Sequence, residues 1–171
     1  MTSGWELPSE VLEWIFSNIN EGSLVLEFGS GGTSKRLSDT FNLISIEHDA
    51  NWIGRFHENY IHAEIVSNTQ SRHAGETGWY DQSKLQTLPN AVDLIILDGP
   101  PGEIGRSGIM EFLPSLPETK FFIIDDTDRV QELRLLHDLT NVLKPLDQIE
   151  IISDSRRSNG LPRKATVLQL R

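Results

Sequence analysis

Apolar residues recur along the chain in two rhythms. Leu7, Val11, Leu12, Ile15, Phe16 and Ile19 fall at helical spacing, and Pro8 suits a first turn, so a helix precedes the first strand. Leu24–Phe28 is a short apolar run of strand length, and Ser34–Phe41 reads as a helix. Leu43–Glu47 predicts a second strand, Ala50–Tyr60 a helix and Ala63–Val66 a weak third strand. Ser67–Leu88 is polar and turn-rich, and predicts mostly loop with a short helix near its end. Asp93–Leu97 and Phe121–Ile124 are continuously apolar, as strands buried on both faces are. Thr127–Leu139 is helical, with Val130, Leu133, Leu136 and Leu139 about a turn apart. Glu150–Ser153 and Ala165–Leu170 are two late strands, joined across the hairpin-type turn Ser158–Asn159–Gly160.

Alternating strands and helices predict an α/β fold, a doubly wound, mostly parallel sheet with helices on both faces and a late antiparallel hairpin at one edge. No repeat, low-complexity segment or linker interrupts the pattern, and 171 residues suit a single domain over 1–171. Ligands of such sheets bind beyond the carboxyl ends of the strands. Four polar or turn-rich patches fall there: the glycine loop after Phe28, Glu47–Asp49, Asp98–Gly102 and Asp125–Arg129.

Composition narrows the function. The chain has no cysteine, which excludes disulfides and thiolate chemistry. No basic region followed by an apolar core opens the sequence, and no apolar run reaches membrane-spanning length, so a cytoplasmic location without membrane association is expected. The net charge of -10 argues against nucleic-acid binding through phosphate neutralisation. One stretch runs the other way: from Arg156 to Arg171 it holds Arg156, Arg157, Arg163, Lys164 and Arg171 and no acid. It either decorates a hairpin tip or contacts an acidic sugar or a partner protein.

The stretch Leu24–Ser34, "LVLEFGSGGTS", places Gly29, Gly31 and Gly32 just past a strand. Glycines there either make a tight turn or let the backbone pass close to a ligand. The G-x-G-x-x-G nucleotide fingerprint is not met, because Ser34 stands at its third glycine. Glu47 ends the next strand about 20 residues after Glu27, where a carboxylate can accept both hydroxyls of a ribose.

Together these residues resemble the class I S-adenosylmethionine-dependent methyltransferases. The family's acidic strand end followed by G-x-G-x-G reads here "EFGSGGT", with Thr33 at the last glycine. Its ribose-binding acid corresponds to Glu47, its fourth strand to "VDLIILDGPPG", and its final antiparallel hairpin to Glu150–Leu170. The resemblance covers nearly the whole chain. It implies S-adenosylmethionine bound by Glu27, Gly29, Ser30, Gly31, Gly32, Thr33, Glu47, His48 and Asp98, with Glu27 orienting the amino-acid end. For adenine, Ser67, Asn68 and Thr69 are the candidates. Asp98 and His48 are the catalytic candidates, and His73 is a further possible base; the histidines have structural roles as their alternative.

"DGPPG" lacks the aromatic residue that follows the two prolines in many base and amide methyltransferases. The metal-dependent O-methyltransferases of catechol and macrolide-sugar type are more similar. That resemblance implies magnesium or manganese held by Asp98, Asp125 and Asp126. Two other roles are open to the pair: Asp126 as a helix cap and Asp125 as a favourable charge at the helix start. Arg106 and Arg129 either grip an anionic substrate or lie solvated, and Trp79 and Tyr80 either wall a pocket or pack a loop.

The expected activity is therefore O-methylation of a small-molecule hydroxyl, on a sugar or polyketide-like acceptor, assisted by a divalent ion. The alternatives are a non-catalytic member of the fold that binds cofactor or partner, and a nicotinamide-binding domain. No large insertion builds a lid, so a second subunit of a homo-oligomer could complete the substrate pocket.

Overall fold

The computed structural model describes residues 6–67 and 73–171. Nine strands and four α-helices follow in the order α1 (Ser9–Asn18), β1 (Leu24–Phe28), α2 (Ser34–Ser38), β2 (Asn42–Glu47), β3 (Tyr60–His62), β4 (Ile65–Ser67), β5 (Gly78–Tyr80), β6 (Ala91–Leu97), α3 (Ile109–Phe112), β7 (Glu118–Ile124), α4 (Val130–Leu143), β8 (Asp147–Arg156) and β9 (Pro162–Gln169). Seven strands form one sheet in the order β3-β2-β1-β6-β7-β9-β8. The first five run parallel, and β9 inserts antiparallel between β7 and β8. This is the mostly parallel sheet with a late hairpin that the sequence pattern predicts. No helix among the described residues is long and apolar enough to cross a membrane.

The sheet is covered on both faces because its central strands are apolar on both sides over most of their length. In β1, Leu26 and Phe28 face one core and Val25 the other. In β6, Ile95 and Leu97 join the first core, while Leu94 and Ile96 join the second. α1 closes the second core with Val11, Leu12 and Ile15. α4 closes the first with Leu135, Leu136 and Leu139, aided by Ile109 and Phe112 of α3.

Three expectations are corrected. No helix spans Ala50–Tyr60; residues 50–59 run as turns, and Gly54 adopts a φ of 71° that ends helical geometry. The third sheet strand forms at Tyr60–His62, not at Ala63–Val66. Ile65–Ser67 instead pairs antiparallel with Gly78–Tyr80, a strand inside the stretch read as loop, as a separate two-stranded sheet. The short helix expected near the end of that stretch is a 3-10 turn at Gln82–Leu85.

Candidate functional site

The order of strands reverses at β1, which lies between β2 and β6. A cleft of about 250 Å³ opens at this point, lined by Gly29, Ser30, Glu47, His48, Tyr80 and Asp98 among others. Gly29 has φ 84°, and a Cβ on it would sit 2.9 Å from the Cα of Gly99. A Cβ on Gly99 would in turn sit 2.5 Å from the Tyr80 hydroxyl. Backbone therefore meets backbone at the mouths of β1 and β6, with no room for a side chain between them.

The rest of the glycine stretch supports this turn from behind. Gly31 is buried, and its N–H donates to Ser34 Oγ at 3.0 Å. Gly32 lies against the Glu6 side chain, and Thr33 is buried at the start of α2. Glu27 is buried beneath the loop, not in the cleft, and Oε1 accepts from Ser34 Oγ at 2.6 Å and from Ser45 Oγ. Burial pushes its pKa up to about 7 against the pull of those two hydroxyls, with Glu47 adding repulsion.

Glu47 does face the cleft. Its Oε2 accepts from the N–H and hydroxyl of Ser30 at 2.9 and 3.0 Å, and its Oε1 from the N–H groups of His48 and Asp49 at 2.8 and 2.9 Å. Burial alone would raise its pKa, but these donors and the His48 ring outweigh burial and hold it below the usual carboxylate range. Glu47 is thus an ionised acceptor that also pins Ser30, and hence the glycine turn. His48 Nδ1 lies 2.8 Å from Glu47 Oε1, which raises the imidazole pKa.

Tyr80 supplies a group the cofactor residues inferred from sequence do not include. Its hydroxyl is buried in the cleft wall with no hydrogen-bond partner among the described residues. Such a group is costly unless a ligand satisfies it. Trp52 also lines the cleft, from the stretch misread as helix. Trp79 packs beside Tyr80 on Phe28, with ring centroids 5.7 Å apart. His73 pairs with Asp138 of α4 at 3.1 Å. Ser67 is exposed at the end of β4, and Asn68 and Thr69 lie outside the described residues. An ionised acceptor in the cleft, a turn where two glycine backbones touch and an unsatisfied buried hydroxyl together fit S-adenosylmethionine.

Asp98, Asp125 and Asp126 converge, each offering an oxygen within 4.8 Å of the others. Two follow adjacent strands directly, and Asp126 reaches in from a left-handed φ of 62° that aspartate tolerates. Neither Asp125 nor Asp126 caps α4, whose N-cap is Arg129. Arginines fill the space between them. Arg163 Nη2 bonds Asp125 Oδ2 at 2.8 Å, and Asp126 receives Arg157 at 2.5 Å, Arg129 at 2.9 Å and Arg106 at 3.3 Å. Arg106 is itself buried, and its Nη2 donates to the Asp98 carbonyl at 2.7 Å. Close packing first, and Asp125 second, raise the pKa of Asp98 well above the ordinary range, although Arg106 opposes them. Four guanidinium groups bond Asp125 Oδ2 and Asp126 and, at 3.4 Å, Asp98, and they oppose the charge of a divalent ion, while Asp125 Oδ1 is buried without a hydrogen-bond partner among the described residues. This charge balance disfavours a resident magnesium or manganese ion.

No protein-family model matches the chain, and no curated protein does. Solved structures do. The O-methyltransferase from Bacillus cereus in complex with S-adenosylhomocysteine superposes with TM-score 0.62 at 12% identity, over 98% of this chain and 84% of that one. The C-terminal domain of precorrin-6Y C5,15-methyltransferase from Rhodobacter capsulatus gives 0.61 at 12% identity, over 98% and 91%. The METTL16 methyltransferase domain gives 0.60 at 12% identity over 94% of this chain, which spans 66% of that domain. The fold is that of the class I S-adenosylmethionine-dependent methyltransferases.

Proposed function

We propose that the protein is an S-adenosylmethionine-dependent methyltransferase acting on the oxygen of a small molecule. The observation that carries this reading is the cleft at the strand-order reversal, where ionised Glu47 faces the glycine turn across from the partnerless Tyr80 hydroxyl. S-adenosylmethionine supplies a methyl group already activated on a sulfonium. Glu47 accepts the ribose hydroxyls, with Ser30 yielding one of its two bonds. Gly29 and Gly99 admit the cofactor against backbone, and Tyr80 donates its hydroxyl. Asp98, at the cleft floor and partly open to solvent, receives the proton of the acceptor hydroxyl. Gly99 and the prolines after it offer no aromatic face for a planar amine, which favours an oxygen acceptor.

Thermal denaturation tests the reading. S-adenosylhomocysteine should raise the melting temperature and NAD should not, because a ligand that binds only the native state stabilises it. Glu47→Gln should weaken S-adenosylhomocysteine about tenfold or more, the cost of losing hydrogen bonds to a charged acceptor. Ser30→Ala, which frees an oxygen of Glu47, should bind within a few-fold of wild type. Stabilisation by NAD alone would end the methyltransferase reading. Metal assistance, implied by resemblance to the catechol-type enzymes, is no part of the proposal. Its tests are calorimetric: magnesium binding at millimolar concentration that Asp125→Asn abolishes would restore it.

A further inference from the structure

Beside the cofactor cleft, and sharing Asp98 and Pro101 with it, lies a second cavity of about 290 Å³. Arg106, Arg129, Arg156, Arg157 and Arg163 all line it, half of the arginines in a chain whose net charge is -10. The acids in its wall are Glu6, Asp98 and Asp126, and Asp125, Asp128 and Glu132 pair with its arginines from behind, so unused guanidinium edges, not a net excess of charge, decide what it can bind.

The arginines divide into two kinds. Arg106 is buried and spent: Nε bonds the Pro100 carbonyl at 3.2 Å, Nη1 the Asp125 carbonyl at 3.1 Å and Nη2 Asp98. Arg163 and Arg157 hold Asp125, Asp126 and Asp128 in place. Arg129 and Arg156 are different. The Arg129 side chain is 39% exposed, and it pairs through Nη1 alone, with Asp126 at 2.9 Å and Glu132 at 4.0 Å. Arg156 is exposed and forms no ion pair among the described residues. The wall opposite is shaped for Arg129: a Cβ at Gly102 would stand 2.8 Å from its Nη1. The register shift of β8 against β9 between Ile152 and Arg156 bends the strand at the point where Arg156 and Arg157 enter the cavity.

We propose that this cavity is the acceptor subsite and that it receives an oxyanion, so that the methyl acceptor is an acidic small molecule bearing a carboxylate or phosphate. Arg129 and Arg156 grip the anion, with the unspent edge of Arg157 between them, and Asp98 stands at the border with the cofactor cleft. Guanidinium forks match planar and tetrahedral oxyanions alike. A neutral sugar or polyketide hydroxyl would leave these donors without a partner. The inference rests on the methyltransferase reading only in calling the ligand an acceptor.

Calorimetric titration of glucuronate, glucose 6-phosphate and glucose at fixed ionic strength tests it, with and without saturating S-adenosylhomocysteine. At least one of the two anions should bind wild type while glucose does not; which of them binds separates carboxylate from phosphate. Arg129→Gln and Arg156→Gln should each weaken that binding about tenfold while leaving S-adenosylhomocysteine affinity unchanged. Should Arg129→Gln fail to fold, Arg156→Gln alone decides, because that side chain is exposed and supports no other group. Glucose binding as tightly as the anions, anion binding undiminished in Arg156→Gln, or no anion binding at millimolar concentration would each overturn the proposal. Anion binding that depends on these arginines, in a protein that ignores S-adenosylhomocysteine, would keep the subsite and remove the methyltransferase reading instead.

Discussion

Glu27 is a carboxylate at 3% exposure, held beneath the glycine turn by two serine hydroxyls and, among the described residues, no cation. Its pKa stands at about 7 in the folded protein against an ordinary 4.5. Between those values the folded state keeps a proton that the unfolded chain has released. Raising the pH through that window therefore favours unfolding, and this one group removes about 3 kcal/mol of stability by pH 8. Glu27→Gln has no proton to lose. Urea denaturation from pH 5 to pH 8 should show wild type losing about 3 kcal/mol relative to the variant, whereas parallel profiles would refute the assignment. At this scale the sequence distinguishes little between the two acids. Both lie at or next to the end of an apolar strand, yet Glu27 points inward to Ser34 and Ser45 while Glu47 collects N–H groups at the cleft. Strand position places an acid near a ligand; the neighbours that satisfy it decide its role. Tyr80 shows the same limit, since one tyrosine in a polar stretch carries no sequence sign that its hydroxyl ends up partnerless.

Secondary-structure elements were legible where apolar runs are long. β1, β6 and β7 each hold a run of at least three consecutive apolar residues, and α1 and α4 keep helical spacing over several turns. The stretch 50–60 misleads because Trp52, Ile53, Phe56 and Tyr60 also fall at helical spacing, while Gly54 turns the chain instead. β4 and β5 have three residues each, too short for any period to declare itself. Their small sheet is nonetheless anchored. Phe28 of β1 is fully buried, and its ring centroid lies 5.7 Å from Trp79, 5.9 Å from Tyr80 and 6.5 Å from Phe112. Phe28→Ala should cost about 3–5 kcal/mol, the range for emptying a buried aromatic site. It should also weaken S-adenosylhomocysteine, because the wall bearing Tyr80 loses its support. Denaturant midpoints and binding isotherms on the same preparation check both effects. A loss of stability with cofactor affinity intact would show that β5 holds its place without Phe28.

At the scale of the whole molecule, charge is unevenly spread. The chain carries a net charge of -10, but half of its arginines gather in one concave pocket between strand ends. A duplex needs a basic stripe that follows two phosphate backbones, and a cavity of about 290 Å³ cannot offer one. Electrophoretic mobility shift assays at physiological ionic strength should show no retardation of duplex DNA. A shift abolished by Arg156→Ala together with Arg157→Ala would show that the local arginines outweigh the global field. The convergence of Asp98, Asp125 and Asp126 was readable from the parallel strands that carry two of them. Their arginine partners were not, because Arg157 and Arg163 come from a hairpin whose insertion beside β7 no local pattern announces.

That hairpin has a consequence for how the protein can change over time. Arg156, Arg157 and Arg163 all belong to β8, β9 and the turn between them, whereas Gly29 follows β1, Glu47 ends β2 and Tyr80 ends β5 of the separate two-stranded sheet. β9 is fastened by Ala165, Val167 and Leu168 in the two cores, but the turn beyond it is largely open to solvent. On the proposed reading, mutations at the turn would alter which acid is accepted without disturbing how the methyl donor is held. Acceptor choice and donor binding would then be separable traits, and new specificities would arise by drift in one short exposed loop.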